Sequence, residues 1–349
     1  MLNKLDKSSE IVTIQENSDR LIGEMAYLKA GSYKFEVPNG VDSIYVAVLG
    51  AGGSGGSGSS VHATGGGGGG FAGGYLKVTS GEAYNVTVGY GGAGVTADNK
   101  NGNAGGSSSF GNLLSATGGA GGLWQSTATT ELKGGAGGVG SKAASVIAGI
   151  TFNGGRGGNK ESGVTGAVQY TGGGASGSPF GDGGNGGDII ASVLAGTNNY
   201  TGGGGSGGRG IPNATGTPSL VDAGPGLSGQ NVYNGFISVF NGTALNGAGA
   251  YAIVSSRAGN GGGGAGNVNN ASILSSTGGI AGGGGAGSLY DAHKSTFGGG
   301  GGAGIATQMP RAYKNGNGGG AGAHQSVNVS NIAMSGGDGA VIVICYKEK

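Results

Sequence analysis

The sequence predicts a mostly β and irregular fold, in which the strands of a small β-sandwich frame a bundle of polyglycine-II helices. Glycine makes up 94 of the 349 residues and is concentrated in tracts. Within the tracts, the other residues often recur at every third position. Segments with alternating apolar residues lie at both ends of the glycine-rich region, where they predict strands.

The spacing of the non-glycine residues predicts the conformation of the tracts. In residues 50–58 the side chains with this spacing are Ala51, Ser54 and Ser57. A period of three matches neither an α-helix nor a strand, but it matches a left-handed helix of the polyproline-II type. Because glycine keeps its N–H group and lacks a Cβ atom, we expect neighbouring tracts to hydrogen-bond main chain to main chain. Residues 181–188 repeat the spacing with Asp182, Asn185 and Asp188.

Glycine alone is not expected to stabilise such a bundle. Ordering the backbone costs about 1–2 kcal/mol per residue, and glycine loses the most conformational freedom. A hydrogen bond returns only about 0.5–1.5 kcal/mol net. We therefore expect the strands to supply the remaining stability through a hydrophobic core, at about 25 cal/mol per Å² of buried apolar surface.

Residues 1–30 differ from the rest of the chain because they hold much of the charge and few glycines. Residues 11–14 suggest a short strand. Ser18 is a candidate N-cap for a helix over residues 21–28, where the apolar residues follow a helical spacing. The segment is either an ordered lead-in or an arm that attaches the protein to a larger assembly. Residues 31–349 are predicted to form one glycine-rich domain, because no linker interrupts the pattern.

The first β signals come directly after this lead-in. Alternating apolar residues predict strands at residues 33–37 and 44–48, with a turn at residues 38–40. Residues 75–78 and 84–88 show the same alternation on either side of a glycine-containing turn. This arrangement predicts a hairpin.

The longest apolar run lies near the C-terminus. Residues 340–346 predict a central strand that is buried on both faces. A further strand pair is predicted at residues 232–240 and 251–254. Between the framing strands, glycine tracts alternate with linkers, so successive tracts should run antiparallel and successive linkers should emerge at opposite ends. Some linkers, such as residues 110–114 and 146–152, are apolar enough to cover the ends of the tracts.

The sequence contains no pattern that predicts an enzyme, and no cofactor is expected. Glycine-rich sequence matches nucleotide-binding motifs by chance, and the nearest match to a P-loop lacks its lysine. The three histidines stand far apart and are interpreted as loop residues, so no metal site is predicted. Asp182 and Asp188 lie about two turns apart on one edge of a tract. This edge is either a calcium site or a solvated polar edge, and we favour the latter.

Charge and hydropathy argue against two further classes of partner. The net charge of +1 gives no reason to expect nucleic acid or an anionic membrane as partner. Apolar stretches stay well below the roughly 20 residues that span a bilayer, so no membrane insertion is expected. The N-terminus lacks the apolar region of a signal peptide, so we expect synthesis in the cytoplasm.

Recognition of a surface by loops on a rigid scaffold therefore remains as the predicted activity. Binding loops tend to carry tyrosine, tryptophan, arginine and histidine. Each such side chain could equally pack over the end of a tract. Trp124 is the strongest anchor candidate. The candidate receptor-binding residues are Trp124, Tyr200, Tyr290, His293, Arg311 and Tyr313.

Five segments of the sequence carry a family pattern. They are Gly31-Ser32-Tyr33-Lys34-Phe35-Glu36-Val37-Pro38-Asn39-Gly40-Val41 and residues 46–53, 73–89, 108–119 and 337–343. In these segments the chain resembles the glycine-rich domain of bacteriophage tail-fibre and tail-tip adhesins. The resemblance covers residues 31–349, and its opening and closing segments are the most specific. It implies a polyglycine-II sandwich whose distal loops bind host outer-membrane receptors.

The resemblance implies a function and a location. The protein would be a tail-fibre or tail-tip adhesin, made in the host cytoplasm and carried in the virion tail. Its partners would be a host surface receptor (an outer-membrane protein or a glycan) and other tail proteins, bound through residues 1–30; homo-oligomer formation stays open. The alternative is a purely structural virion protein, a fibre, decoration or tail subunit without receptor binding. No motif for receptor choice matches, so no binding residue is transferred from the family.

Overall fold

The computed structural model describes residues 10–12, 21–58, 62–95, 97, 99–126, 130–164, 168–179, 181–190, 198–201, 203–205, 267–268, 304–306, 313–314, 317–326 and 334–347. This part of the chain is built from β-strands and contains no helix, which confirms the mostly β prediction. The predicted strand pair at residues 232–240 and 251–254 lies outside it.

The strands have the following bounds in chain order: β1 (Glu10–Val12), β2 (Leu21–Tyr27), β3 (Gly31–Glu36), β4 (Ser43–Leu49), β5 (Ser57–Gly58), β6 (His62–Ala63), β7 (Phe71–Lys77), β8 (Ala83–Val88), β9 (Ser108–Phe110), β10 (Leu114–Ala116), β11 (Trp124–Gln125), β12 (Gly140–Lys142), β13 (Ile147–Phe152), β14 (Val168–Tyr170), β15 (Asn198–Tyr200), β16 (Asn267–Val268), β17 (Gly304–Ala306), β18 (Tyr313–Lys314), β19 (His324–Ser326), β20 (Met334–Ser335) and β21 (Ala340–Tyr346).

Two antiparallel sheets form the framing sandwich. The first sheet has six strands in the order β1-β2-β21-β4-β7-β13, and the second has five in the order β12-β10-β9-β8-β3. Side chains from both sheets meet in one hydrophobic core, which includes Phe35, Val46, Phe110 and Val343. The rings of Phe35 and Phe110 lie 5.9 Å apart between centroids. The alternating segments of the sequence therefore supply the apolar burial that the glycine tracts lack.

Strand β21 is the central strand that the sequence predicts. It lies between β2 and β4 and pairs with β4 over its whole length. Val341 and Val343 face the core between the sheets. On the opposite face, Ile342 and Ile344 belong to a second apolar cluster, and Ile342 is only 1% exposed. Burial on both faces explains why this strand is a continuous apolar run rather than an alternating one.

The predicted helix at residues 21–28 is wrong, because these residues form β2. Met25 pairs with Val343, so β2 extends the first sheet beside the central strand. The predicted hairpin is also wrong. Strand β7 belongs to the first sheet and β8 to the second, so the turn between them crosses from one sheet to the other. In both cases long-range pairing overrides a local pattern that fits either structure.

The apolar linkers at residues 110–114 and 146–152 were predicted to cover the ends of the tracts, and this prediction is wrong. Phe110 and Leu114 are fully buried in the sandwich core, in strands β9 and β10, rather than over the ends of tracts. Residues 147–152 form the edge strand β13.

Hydrogen bonds between main chains join the glycine tracts to one another. We number the described tracts in chain order: tract 1 (residues 50–56), tract 2 (64–70), tract 3 (89–94), tract 4 (101–107), tract 5 (117–122), tract 6 (134–139), tract 7 (153–158), tract 8 (171–177), tract 9 (182–188), tract 10 (318–323) and tract 11 (335–339).

Tract 1 distributes its N–H groups over three neighbours with a period of three. The donors are Gly50, Gly53 and Gly56 to tract 2, Ala51 and Ser54 to tract 4, and Gly52 to tract 11, at N···O distances of 2.9–3.1 Å. Every third residue therefore donates in the same direction, as the spacing in the sequence predicts.

Tract 2 lies at the centre of the bundle. Its N–H groups donate to tracts 5, 7 and 10, and its carbonyl groups accept from tracts 1, 6 and 8. Tract 2 consists of Thr64 followed by six glycines. A Cβ atom added at any of these glycines would come within 3.0 Å of another tract, a distance that real Cβ atoms essentially never show. Six neighbours explain why this tract carries no side chain beyond Thr64.

Consecutive tracts run in opposite directions where the structure describes them. Gly50 and Gly53 donate to Gly70 and Gly67, which makes tracts 1 and 2 antiparallel. The same holds between tracts 5 and 6, tracts 6 and 7, and tracts 7 and 8. This confirms the predicted alternation of linkers between two ends. One end carries the sandwich; the other, which we call the distal end, carries the linkers that follow tracts 1, 3, 5, 7 and 9.

Threonine hydroxyls close the distal end of the bundle. Thr171 Oγ1 accepts a hydrogen bond from the N–H of Gly65 at 3.0 Å and donates one to the carbonyl of Gly158 at 2.6 Å. Thr64 and Thr201 bridge two neighbours in the same way. Each hydroxyl replaces a main-chain carbonyl where the tracts end. The recurrent Thr-Gly-Gly sequence marks these positions in the chain.

Candidate functional site

The structure describes the predicted receptor-binding residues only in part. Trp124 lies in β11, and its side chain is half-buried. The backbones of Tyr200 and Tyr313 lie in β15 and β18. Tyr290, His293 and Arg311 lie outside the described residues.

Trp124 and Tyr200 belong to one small sheet at the distal end. Its strand order is β11-β6-β14-β15-β16, and each of these strands comes from a linker between glycine tracts. Tyr313 lies apart from this sheet, in the parallel pair β18–β20. The fold thus places two of the predicted residues in one sheet and a third in another.

Strand register places Trp124 in a row with other side chains. Trp124 pairs with Ala63, and Ala63 pairs with Tyr170, so these three residues share one face of the distal sheet. The N–H of Trp124 donates to Asn101 Oδ1 at 2.8 Å. Tyr170 is fully buried, and its hydroxyl donates to the carbonyl of Gly58 at 2.7 Å. These two hydrogen bonds connect the distal sheet to neighbouring segments of the chain.

The opposite face of the distal sheet carries a polar row. His62 pairs with Gln125 on one side and with Gln169 on the other. His62 is only 4% exposed, which corrects its interpretation as a loop residue: it lies in β6. His62 Nδ1 and Trp124 Nε1 are buried without a hydrogen-bond partner among the described residues. The distal end therefore contains buried polar atoms that the bundle itself does not satisfy.

Burial determines the charge state of His62. Desolvation, with a smaller contribution from the positive charge of Lys160, lowers the pKa of His62 from 6.5 to about 4. Lys160 is itself buried, its Nζ donates to the carbonyl of Thr130 at 3.0 Å, and burial lowers its pKa. The imidazole is thus neutral in the folded protein at neutral pH.

We expect the protein to lose stability on acidification through His62. Its pKa is lower in the folded state than in the unfolded state, so the contribution is complete above pH 6.5 and is lost as pH falls towards 4. The loss amounts to at most about 3 kcal/mol. Urea denaturation from pH 7.5 to 4, followed by the fluorescence of Trp124, the single tryptophan, measures it. The variant His62→Gln should show a flatter pH profile; identical profiles would contradict this assignment.

The edge formed by Asp182, Asn185 and Asp188 has a different role from the solvated edge that the sequence predicts. The Oδ1 atoms of the three side chains accept main-chain N–H groups of residues 153, 156 and 159 at 2.7–3.0 Å. Asp188 also forms a two-bond ion pair with Arg156, at 2.7 and 2.9 Å. Every third side chain of this edge therefore accepts a main-chain N–H group of the neighbouring segment, as a carbonyl oxygen would. Each Oδ1 atom already has a protein donor.

The glycine-rich region also matches a known family. The family model of the glycine-rich domain matches residues 28–269, about two thirds of the chain. The chain belongs to this glycine-rich domain family. The match includes tracts 1–9, all five strands of the second sheet, and strands β4, β7 and β13 of the first sheet, so it covers part of the bundle and part of its framing strands. No curated protein matches the chain.

The described residues of the glycine-rich domain and its flanks lack two further features. We find no helical segment there with the length and hydropathy that a bilayer crossing needs. Nor do those residues contain a group of three or more histidine, cysteine, aspartate or glutamate side chains that could hold a metal ion.

Proposed function

We propose that the protein is a bacteriophage tail-fibre or tail-tip adhesin, in which a bundle of polyglycine-II helices holds the linkers of its distal end against a host receptor. Two features of the bundle support the polyglycine-II assignment. Tract 1 donates to each of its neighbours with a period of three, and tract 2 has six neighbours. A helix with three residues per turn produces both features.

The alternating direction of the tracts is the observation that carries the proposal. It gathers successive linkers at one end of a scaffold that is cross-linked throughout by main-chain hydrogen bonds. Linkers on such a scaffold can vary in sequence without changing the fold, which suits a surface that must match a receptor. Trp124 and the strand that contains Tyr200 lie at this end.

The opposite end suits attachment to the virion. Strands β1 and β2 come from the N-terminal segment and lie at one edge of the first sheet. Residues 1–30 would contact other tail proteins, and the distal linkers would contact an outer-membrane protein or a glycan of the host. The second candidate is a structural virion subunit, whose distal linkers would contact virion proteins instead.

Cell binding by the purified chain tests the proposal. Fluorescently labelled protein is incubated with a panel of bacterial strains and measured by flow cytometry, and it is then tested as a competitor of phage adsorption to the strains that bind it. Binding should fall about tenfold in Trp124→Ala, because buried aromatic anchors contribute most at interfaces. Val139→Ala is the control, since this side chain is 51% exposed at the sandwich end of tract 6.

Two further variants separate the alternatives. Removal of residues 1–9 leaves every described strand intact, so it should preserve cell binding and weaken binding to purified tail components. If the full chain binds none of the strains and leaves adsorption unchanged, yet binds tail components, the protein is a structural subunit.

A further inference from the structure

A groove lies where the second sheet meets the glycine bundle, away from the distal end. It has a volume of about 500 Å³, within the range of small-molecule sites. Strands β3 and β8 form one wall, and tracts 3 and 4 form the other. Its lining includes Ser32, Thr87, Tyr90, Ala104 and Ser107.

Tyr90 stands at this groove as an unpartnered aromatic side chain. It is 69% exposed, the highest value among the exposed large apolar side chains in the described part of the chain. Its ring contacts no other aromatic ring there, and its hydroxyl makes no hydrogen bond there. The glycines on either side hold the backbone of tract 3 through bonds from Gly89 and Gly91. The backbone of Tyr90 is thus held in place, while its exposed ring is free to contact a ligand.

Hydroxyl groups extend from the groove across the second sheet. Ser32 pairs with Thr87, Thr87 with Ser109, Ser109 with Ser115, and Ser115 with Ser141. All five strands therefore carry a hydroxyl residue at the same level of one face, about 4.8 Å apart from strand to strand. None of these five hydroxyls has a hydrogen-bond partner among the described residues.

The absence of charged side chains from the groove lining indicates which class of ligand suits it. No charged side chain belongs to its lining. The main-chain N–H groups of Tyr90 and Ala104 add two donors that have no partner in the described structure. A ligand that suits the groove is uncharged, rich in hydroxyl groups, and apolar on one face.

We propose that the groove binds a neutral saccharide. A sugar ring presents C–H groups on its faces, which stack on an aromatic ring, and hydroxyl groups around its edge, which bond to the hydroxyls of Ser32, Thr87 and Ser107. This site is separate from the distal linkers. It is tested with saccharides rather than cells, so its outcome does not depend on the proposed receptor role.

Binding of the full chain to an array of neutral oligosaccharides, built from hexoses and N-acetylhexosamines, tests the site. Sialylated and phosphorylated oligosaccharides on the same array provide the charged comparison. Calorimetry with the best neutral saccharide then compares variants. Tyr90→Ala should weaken binding about tenfold, whereas Tyr90→Phe, which keeps the ring, should stay within about twofold of the wild type. Thr87→Val, which removes one hydroxyl at constant shape, should weaken binding severalfold.

Ile147→Ala is the matched control, because Ile147 is 52% exposed on an edge strand of the first sheet. The melting temperatures of all variants should stay close to that of the wild type, since the changed side chains are exposed. The proposal is overturned if no neutral saccharide binds at about 10 mM, if only charged saccharides bind, or if Tyr90→Ala and Ile147→Ala bind alike. Binding of glycine-rich peptides in place of saccharides would overturn it as well.

Discussion

Gly68→Ala is expected to prevent stable folding of the glycine bundle. Gly68 lies in tract 2, and a Cβ atom there would overlap the carbonyl group of Ala175 in tract 8. Both partners are main chain, so no side-chain rotation relieves the overlap, and the tracts must separate. Overpacking in a core costs about 1–3 kcal/mol, and a clash between main chains belongs at or above the upper end of that range. Thermal unfolding followed by circular dichroism measures the loss.

Gly23→Ala is the matched control for this substitution. Gly23 lies in β2, where an added Cβ atom has no neighbour within 4 Å and the backbone has no positive φ. Its melting temperature should equal that of the wild type within about 2 °C, because this half-buried strand position has room for the added methyl group. If Gly68→Ala had the same melting temperature as Gly23→Ala, the six-neighbour arrangement around tract 2 would be wrong.

Thr171→Val is expected to cause another large loss of stability, about 2–6 kcal/mol. Valine keeps the shape of threonine and removes only the hydroxyl. The N–H of Gly65 and the carbonyl of Gly158 then lose their partner in a fully buried position. Each buried polar group left without a hydrogen bond costs about 1–3 kcal/mol. The free energy of unfolding in urea, from Trp124 fluorescence, gives the loss.

Thr171→Ser restores the hydroxyl and should recover most of this stability. A change of less than about 0.5 kcal/mol in Thr171→Val would show that water replaces the hydroxyl at the distal end. The bridge would then have no structural role.

The sequence predicts the framing strands because their burial pattern is local. Ile44, Val46 and Val48 alternate since they face the core between the sheets, and residues 340–346 are apolar throughout since both faces of β21 are buried. The period of three in residues 50–56 likewise predicts the direction in which each N–H group donates.

The wrong predictions share one cause. Residues 21–28 fit a helix and residues 75–88 fit a hairpin when only the nearest neighbours in sequence are considered. Strand β2 instead pairs with β21, more than 300 residues away in the chain, and β7 and β8 join different sheets. A local pattern does not show which distant strand a segment pairs with. It therefore does not distinguish a helix from a strand, or a hairpin from two strands that join different sheets.

The sequence predicted only some of the candidate binding residues. Aromatic content identified Trp124 and the strand of Tyr200, and the fold brings both to the distal sheet. Tyr90 was missed, because in the sequence it is one more residue between glycines. Its significance comes from the hydroxyl row and the groove beside it, which exist only through strand register.

By itself, the sequence determined that this chain combines β-strands with glycine tracts of period three, since each periodicity reflects which positions have room for a side chain. The tertiary structure alone decided which tract is central, which strands pair, and which loops share an end. Those choices depend on hydrogen bonds between residues far apart in the chain, and a glycine backbone presents the same donors and acceptors to every neighbour. Because glycine carries no side chain, only the packing of the folded chain determines which tract hydrogen-bonds to which.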